Sequence, residues 1–364
     1  GRRIVTYNPS TGAGAAFRSA SLSSAQITAL TPSYGTNGTA ASFINYIRGE
    51  RTNEASSTAS GSTNTYRDRA NLVGDIVNAK TVPVGPPAFP YSSAYNPGYD
   101  TFKTTYANRA PVVYAAANDG MLHVIDGSLT SSTIAGSAPG NELWAYIPNA
   151  VISGPTGNPG VTGLVSLGNP NFVHRYFVDA TPTMADVDFG RTSGGSGTSD
   201  WRTVLIGGLG KGGKVLYALD ITNPSSVTTE TAAAGKVLWE FTDSAMGFTY
   251  GQPIVTKTRK YGWVVVAGSG YNNADGKGYF FFINPRNGAL LEKVAVPCTP
   301  TCTAANQSGM AHINAFVLNA SDGAADGEGN PLKGSLSPFA QACRYRLQSI
   351  CNRSCPARTT PGRR

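Results

Sequence analysis

The sequence predicts an all-β protein built as a β-propeller, and three observations carry that reading. A strand-turn-strand unit recurs three times along the chain. Two of the copies continue into a third strand with Trp at its centre, Trp144 and Trp239. Composition agrees: 43 Gly and 23 Pro supply turns, while charged residues are only 14%, against ~25% in an ordinary soluble domain. A small sheet cannot bury both of its faces alone, so repeated units of this size stack as blades around an axis. A β-sandwich with similar hairpins is the plainer alternative.

The first copy is Pro111 to Gly127. Val112-Val113-Tyr114 favours strand, and Met121 to Ile125 is the return. Between them Asn118-Asp119-Gly120 is a turn signal, because these residues tolerate the positive φ that tight hairpins need. Ala115 to Ala117 are small and let a neighbouring backbone come close. The second copy runs Thr203 to Ile206, turns through Gly210 to Gly213, and returns as Val215 to Asp220. Gly212 and Gly213 are its turn residues. The third runs Trp263 to Val266, loops through Asn272 to Gly278, and returns as Tyr279 to Asn284, with Ala289 to Lys293 as its third strand.

In chain order, Ile4 to Tyr7 is a short strand. Ser24 to Leu30 and Ala40 to Arg48 read as short helices, the second with Phe43, Ile44 and Ile47 on one face and Gly49 at its C-terminus. Glu50 to Asn64 is a polar surface loop. Leu72 to Val77 is expected as a strand, and Pro83 to Tyr99 as an irregular aromatic excursion. His174 to Asp179 alternates into Thr181 to Asp188, the leading strand of the second repeat; Gly251 to Thr256 is its counterpart before the third. Ala311 to Leu318 opens a fourth unit that does not follow. The expected organisation is residues 1–100 as an N-terminal propeller part with helices and loops, 101–322 as blades, and 323–364 as an atypical Cys- and Arg-rich tail, truncated or out of frame. That tail is expected to leave the propeller incomplete and the chain prone to disulfide-linked association. The opening Gly1-Arg2-Arg3 has neither Met nor signal peptide and reads as part of something longer.

Laid end to end, certain motifs resemble a known family. They are Asn45 to Glu50, Arg67-Asp68-Arg69 with Leu72 to Val77, Val113 to His123, His174 to Asp179, Leu205 to Gly213, and Gly268 to Asn272. The Asn-Asp-Gly-Met-Leu-His run is the most specific, and the order matches the C-terminal propeller of the PilC/PilY-type adhesins at the tip of type IV pili. The resemblance implies a modified seven-bladed propeller, export to the bacterial cell surface, and roles in pilus biogenesis, adhesion and twitching motility. The partners it implies are pilus-tip or minor pilin proteins and a host or surface receptor that the sequence does not name. Residues after Asp326 depart from the family pattern.

The candidate sites are few. The resemblance implies calcium in an Asp-rich loop, but no stretch completes a ligand pattern; Asp322 and Asp326 are the calcium candidates left, and otherwise no cofactor is expected. Cys298 and Cys302, four residues apart, are a disulfide candidate in an exported protein. GLGKGGKV at 208–215 brushes against a phosphate loop, but a strand follows where a helix N-terminus is needed. His123, His174 and His312 are scattered and read as structural. Arg48-Gly49-Glu50 resembles an adhesive triplet and reads better as a helix end. The net charge of +8 does not point to nucleic acid: seven basic and two acidic residues follow Gly323, so five of the eight charges lie in the tail. No run of apolar residues is long enough for a membrane span. The chain is therefore expected to be a non-enzymatic surface protein. The alternative is a propeller dehydrogenase using pyrroloquinoline quinone, whose repeats Lys214 to Asp220 and Lys236 to Glu240 also resemble; it lacks the adjacent cysteines of that family.

Overall fold

The computed structural model describes residues 1–298 except residue 36, together with residues 302–303, 308–310 and 312–313. Its strands follow the repeats. β1 (Ile4–Asn8) and β2 (Ala13–Ala16) form an N-terminal hairpin. β3 (Val82–Val84), β4 (Val112–Ala116), β5 (Leu122–Asp126) and β6 (Glu142–Ile147) form a first antiparallel blade, with neighbours in chain order. β7 (Thr183–Asp188), β8 (Trp201–Gly207), β9 (Leu216–Asp220) and β10 (Val237–Phe241) form the second. β11 (Ile254–Thr258), β12 (Gly262–Gly268), β13 (Tyr279–Ile283) and β14 (Leu290–Ala295) form the third. Helices are short: α1 (Ser24–Ala29), α2 (Ala40–Ile47), α3 (Tyr99–Thr105), α4 (Asn149–Ser153), α5 (Pro159–Thr162) and α6 (Glu230–Ala234). Ser23 and Thr39 open α1 and α2 with reciprocal capping boxes, which fixes both starts. None is long and apolar enough to cross a membrane, among the described residues.

The period-2 alternation of the strands explains the stacking. In the second blade Leu205, Tyr217 and Leu219 join the core shared with the first blade. Their neighbours Val204, Ile206, Leu216 and Ala218 point the other way, into the core shared with Trp263, Val265, Phe281 and Ile283 of the third. Both faces of the second blade are thus buried against another sheet, as a propeller requires and a two-layer sandwich does not. In the third blade Val264, Val266, Phe280 and Phe282 form a further cluster with Met310.

The N-terminal hairpin ties two blades together at their rims. β1 pairs in parallel with β6, Ile4 opposite Ala145, making the first sheet six-stranded. Glu230 of α6 accepts a hydrogen bond from the Ile4 N–H and forms ion pairs with Arg18 and, at 2.7 Å, Arg48. Gly14 lies so close to the Ala234 carbonyl that a Cβ there would overlap it. Glu240 of β10 accepts from the Tyr146 hydroxyl at 2.5 Å and the Asn149 N–H at 2.6 Å, which pins β6 and α4 to the second blade. Burial pushes that carboxyl up to about 7, against the lowering effect of these donors.

Two expectations are corrected. Leu72 to Val77 is not a strand. Its backbone bonds to the Asn118-Asp119 turn one contact at a time, and Val73, Ile76 and Val77 are exposed, so no ladder or buried face holds it extended. His174 to Asp179 is not strand either; the leading strand is only β7, and the third begins at Ile254 rather than Gly251. The Pro83 to Tyr99 excursion also hides structure. Pro83 sits in β3, an edge strand that can spare an N–H, and residues 85–98 run to α3. This excursion stacks Tyr91 on Trp201 and sets Tyr99 tilted against the same ring, with Tyr91 also edge-on to Trp263, at the start of β8 and β12. Asp322, Asp326, the tail 323–364, and all of Ala311 to Leu318 except residues 312 and 313 lie outside the described residues.

Candidate binding site on the turn face

In an antiparallel blade the turns between the second and third strands all lie at one end. Here they form a continuous face, because each chain segment leading to the next blade threads between them. Asp179 donates its N–H to the Leu209 carbonyl, and the Leu209 N–H donates to Thr249 Oγ1 at 2.8 Å. Phe248 bridges to Tyr271, and Gly270 to Met310. Gly212 is needed here because the Phe177 carbonyl occupies the place of a Cβ; Gly213 is extended, with the Leu209 side chain packed on it. Of the sequence-selected turn residues, these two serve close approach, whereas Gly120 serves both conformation, at φ +89, and close approach, to Leu164.

The Asn118-Asp119-Gly120 turn is the hub of the first blade. Asn118 donates its N–H to the Asp75 carbonyl at 2.9 Å, and its Oδ1 accepts from the Phe177 N–H at 3.0 Å. Asp119 Oδ2 accepts from the Gly74 N–H at 3.0 Å, and Oδ1 from the Met121 N–H at 3.2 Å. One turn thus holds two segments about a hundred residues apart in sequence. Four residues after Asp119, His123 lies in β5 and is 1% exposed. Its Nε2 meets Asp119 Oδ2 at 2.9 Å and its Nδ1 meets Glu142 Oε2 at 2.8 Å. Burial, the largest influence, would push the imidazole down; the Asp119 charge and hydrogen bond, with those of Glu142, outweigh it and hold it at about 9. Glu142 in turn is held at about 2: burial opposes its charge, but His123 and the Arg2 guanidinium, 2.7 Å away, prevail. His123 is therefore a doubly paired cation with a structural role, and neither ring nitrogen is free for proton transfer.

Beside this turn opens a cleft of about 290 Å³. Arg67, Arg69, Asp75, Asp119 and His174 line it together with apolar Ile47, Leu72, Leu167 and Phe172. His174 Nε2 pairs with Asp75 Oδ2 at 2.8 Å. Arg69 binds Glu54 Oε1 at 2.7 Å and lies over the Tyr46 ring. Arg67 donates from Nε to the Leu167 carbonyl at 2.6 Å and stacks on Phe172, 4.5 Å from the ring centroid. Among the described residues no three His, Cys, Asp or Glu side chains converge as metal ligands. The cleft combines charged and apolar walls, a lining that suits a ligand with both characters.

A family model described as the PilY1 beta-propeller domain matches residues 73–330. The chain belongs to the PilY1 β-propeller family. The "Type IV pilus biogenesis factor PilY1" of Pseudomonas aeruginosa is 33% identical over 261 residues, covering 70% of this chain and 19% of that protein. A protein of Xylella fastidiosa, a PilY1 homolog by name, is 33% identical over 265 residues, covering 71% of this chain and 18% of its own length. The crystal structure of the Pseudomonas aeruginosa PilY1 C-terminal domain is similar at 31% identity and a TM-score of 0.47, over 68% of this chain and 42% of that one. The chain thus spans about a fifth of the length of the curated relatives it matches. The family match supports the pilus reading and not the quinone-dependent dehydrogenase.

The remaining candidates have plain places in the PilY1-type fold. Cys298 and Cys302 are joined in a disulfide, with Cα atoms 5.8 Å apart. Arg48 ends α2 and is committed to Glu230, while Gly49 takes φ +103, so the Arg48-Gly49-Glu50 triplet is a helix end. After Gly208 to Gly213 comes β9, not a helix. Asn273 and Asp275 are occupied within their own loop, by Lys277 and Tyr279 among others. Sequence reasoning missed Glu54, Glu142 and Phe172. No local pattern marks their part in the site, since Arg69, His123 and Arg67, which they meet there, lie more than ten residues away.

Proposed function

We propose that this chain is the propeller part of a type IV pilus biogenesis protein that works by binding, without catalysis. The single observation that carries this is the family match over 73–330, within which the turn-face motifs Asn118 to His123, His174 to Asp179, Leu205 to Gly213 and Gly268 to Asn272 all fall. The partners are pilus-tip or minor pilin proteins, met at the cell surface after export; attachment and twitching motility follow from that position. The reading requires no cofactor and no nucleic acid, and Asp322 and Asp326 are its calcium candidates. Rigid turns support it: gripped loops lose little conformational freedom when a partner docks.

Deleting the encoding gene tests this. Surface pili recovered by shearing should fall at least several-fold and return on complementation. Unchanged piliation and motility would overturn the reading. So would dye-linked alcohol oxidation by the purified protein after reconstitution with pyrroloquinoline quinone and calcium.

A further inference from the structure

We propose that the cleft beside the Asn118-Asp119 turn binds a single carboxylate presented by a partner polypeptide, with Arg67 as its receptor. The proposal deepens the binding reading above and rests on it. It follows from which charges in the cleft are already answered. Arg69 is answered by Glu54 and by the Tyr46 and Glu50 carbonyls. Asp75 is engaged by hydrogen bonds with His174 and Asn118, and Asp119 by His123 and the Gly74 N–H. Arg67 meets no carboxylate among the described residues, and of its five N–H donors only Nε–H has an acceptor there.

That guanidinium is also held in place. The Leu167 carbonyl fixes one edge, and the Phe172 ring lies against the guanidinium, 4.5 Å from its carbon to the ring centroid. The edge left over carries parallel N–H donors in the fork geometry that suits a carboxylate bidentately. A flexible arginine would lose side-chain entropy on binding, whereas this one has already lost it. Donor geometry selects the ligand. The two parallel N–H donors left on Arg67 match the two oxygens of one carboxylate; a phosphate dianion would bring a second negative charge beside Asp75 and Asp119. The apolar walls at Ile47, Leu72, Leu167 and Phe172 suit an aliphatic neighbour of the carboxylate, and a cleft of about 290 Å³ takes a residue or two rather than a folded element. A chain-terminal carboxylate and an Asp or Glu side chain share this chemistry.

Four probes separate the outcomes by calorimetry on the purified chain. They are acetyl-Ala-Val-Leu with a free C-terminus, the same peptide amidated, amidated acetyl-Ala-Glu-Leu, and inorganic phosphate. The first or the third should bind, and whichever does names the source of the carboxylate; the amidated first peptide and phosphate should not. Arg67→Gln should weaken binding by about tenfold or more, and Arg67→Lys, which keeps the charge but loses the fork, by about three- to tenfold. Arg259→Gln, an exposed arginine between β11 and β12 at the opposite end of the blade, should change nothing. If Arg67→Gln does not fold, Arg67→Lys and Phe172→Leu decide, since each leaves the turn intact. Equal binding of the amidated peptide, preference for phosphate, no binding by either carboxylate peptide, or indifference to Arg67→Lys and Phe172→Leu would overturn the assignment. Each of these would leave the piliation phenotype of the gene deletion as it stands; a normal phenotype would remove the broader reading instead.

Discussion

His123→Gln destabilises the protein by about 3–5 kcal/mol near neutral pH, the usual result of removing one partner from a buried ion pair. The imidazolium separates two carboxylates, Asp119 at 2.9 Å and Glu142 at 2.8 Å. Arg2 answers Glu142 from its far side, so the Asp119 charge suffers most. The pH dependence has a definite sign. The folded-state pKa of about 9 lies above the unfolded value of ~6.5, so the folded state binds the extra proton between them. The contribution is complete below about 6.5 and is lost as pH rises through about 9. Wild type should therefore lose about 3 kcal/mol of this contribution between pH 6 and pH 9.5, and the variant should not. Urea titrations of both proteins across that range measure the difference; parallel curves would show that His123 is neutral in the fold.

Gly120→Val is the second large effect, about 2–6 kcal/mol in all. A β-branched residue at φ +89 is strained, which accounts for about 1–3 kcal/mol. A Cβ at this position also collides with Leu164 Cδ1. Leu164 is fully buried, so its displacement adds a further ~1–3 kcal/mol of overpacking. Gly120→Asn separates the two parts, because Asn accepts the left-handed region but still carries the Cβ. It should be milder than Val and worse than wild type in the midpoint of thermal unfolding. An Asn variant as stable as wild type would show that Leu164 yields without cost.

The blades were legible because their signals are local. Val112 to Asp126 contains its own apolar runs and its own turn chemistry, and the same holds for the second and third copies. What escaped reading depends on distance along the chain. The parallel pairing of β1 with β6 joins Ile4 to Ala145, and no pattern within either segment announces it. Leu72 to Val77 has strand composition, but its backbone is claimed by a turn more than forty residues on. The cleft is similarly hidden. Asn118, Asp119 and Gly120 could be named as a turn, and Arg67 and His174 as family motif residues, yet only folding brings Arg67, Phe172 and the Asp119 turn to one opening. His123 looked like a scattered histidine because its second carboxylate, Glu142, comes from the next strand.

We propose that the PilY1-type propeller acts through its turn face. Tyr250 and Tyr271 stand on that face, exposed at 39% and 40%. Tyr95, 48% exposed, stands at the other end on the excursion between β3 and β4. The decisive measurement is the amount of sheared surface pili in a strain whose own copy is replaced by full-length protein carrying either Tyr250→Asp with Tyr271→Asp, or Tyr95→Asp, at equal protein levels. A several-fold loss of pili is expected with the first pair and wild-type piliation with the second. Wild-type piliation with both, or loss with Tyr95→Asp alone, would contradict it.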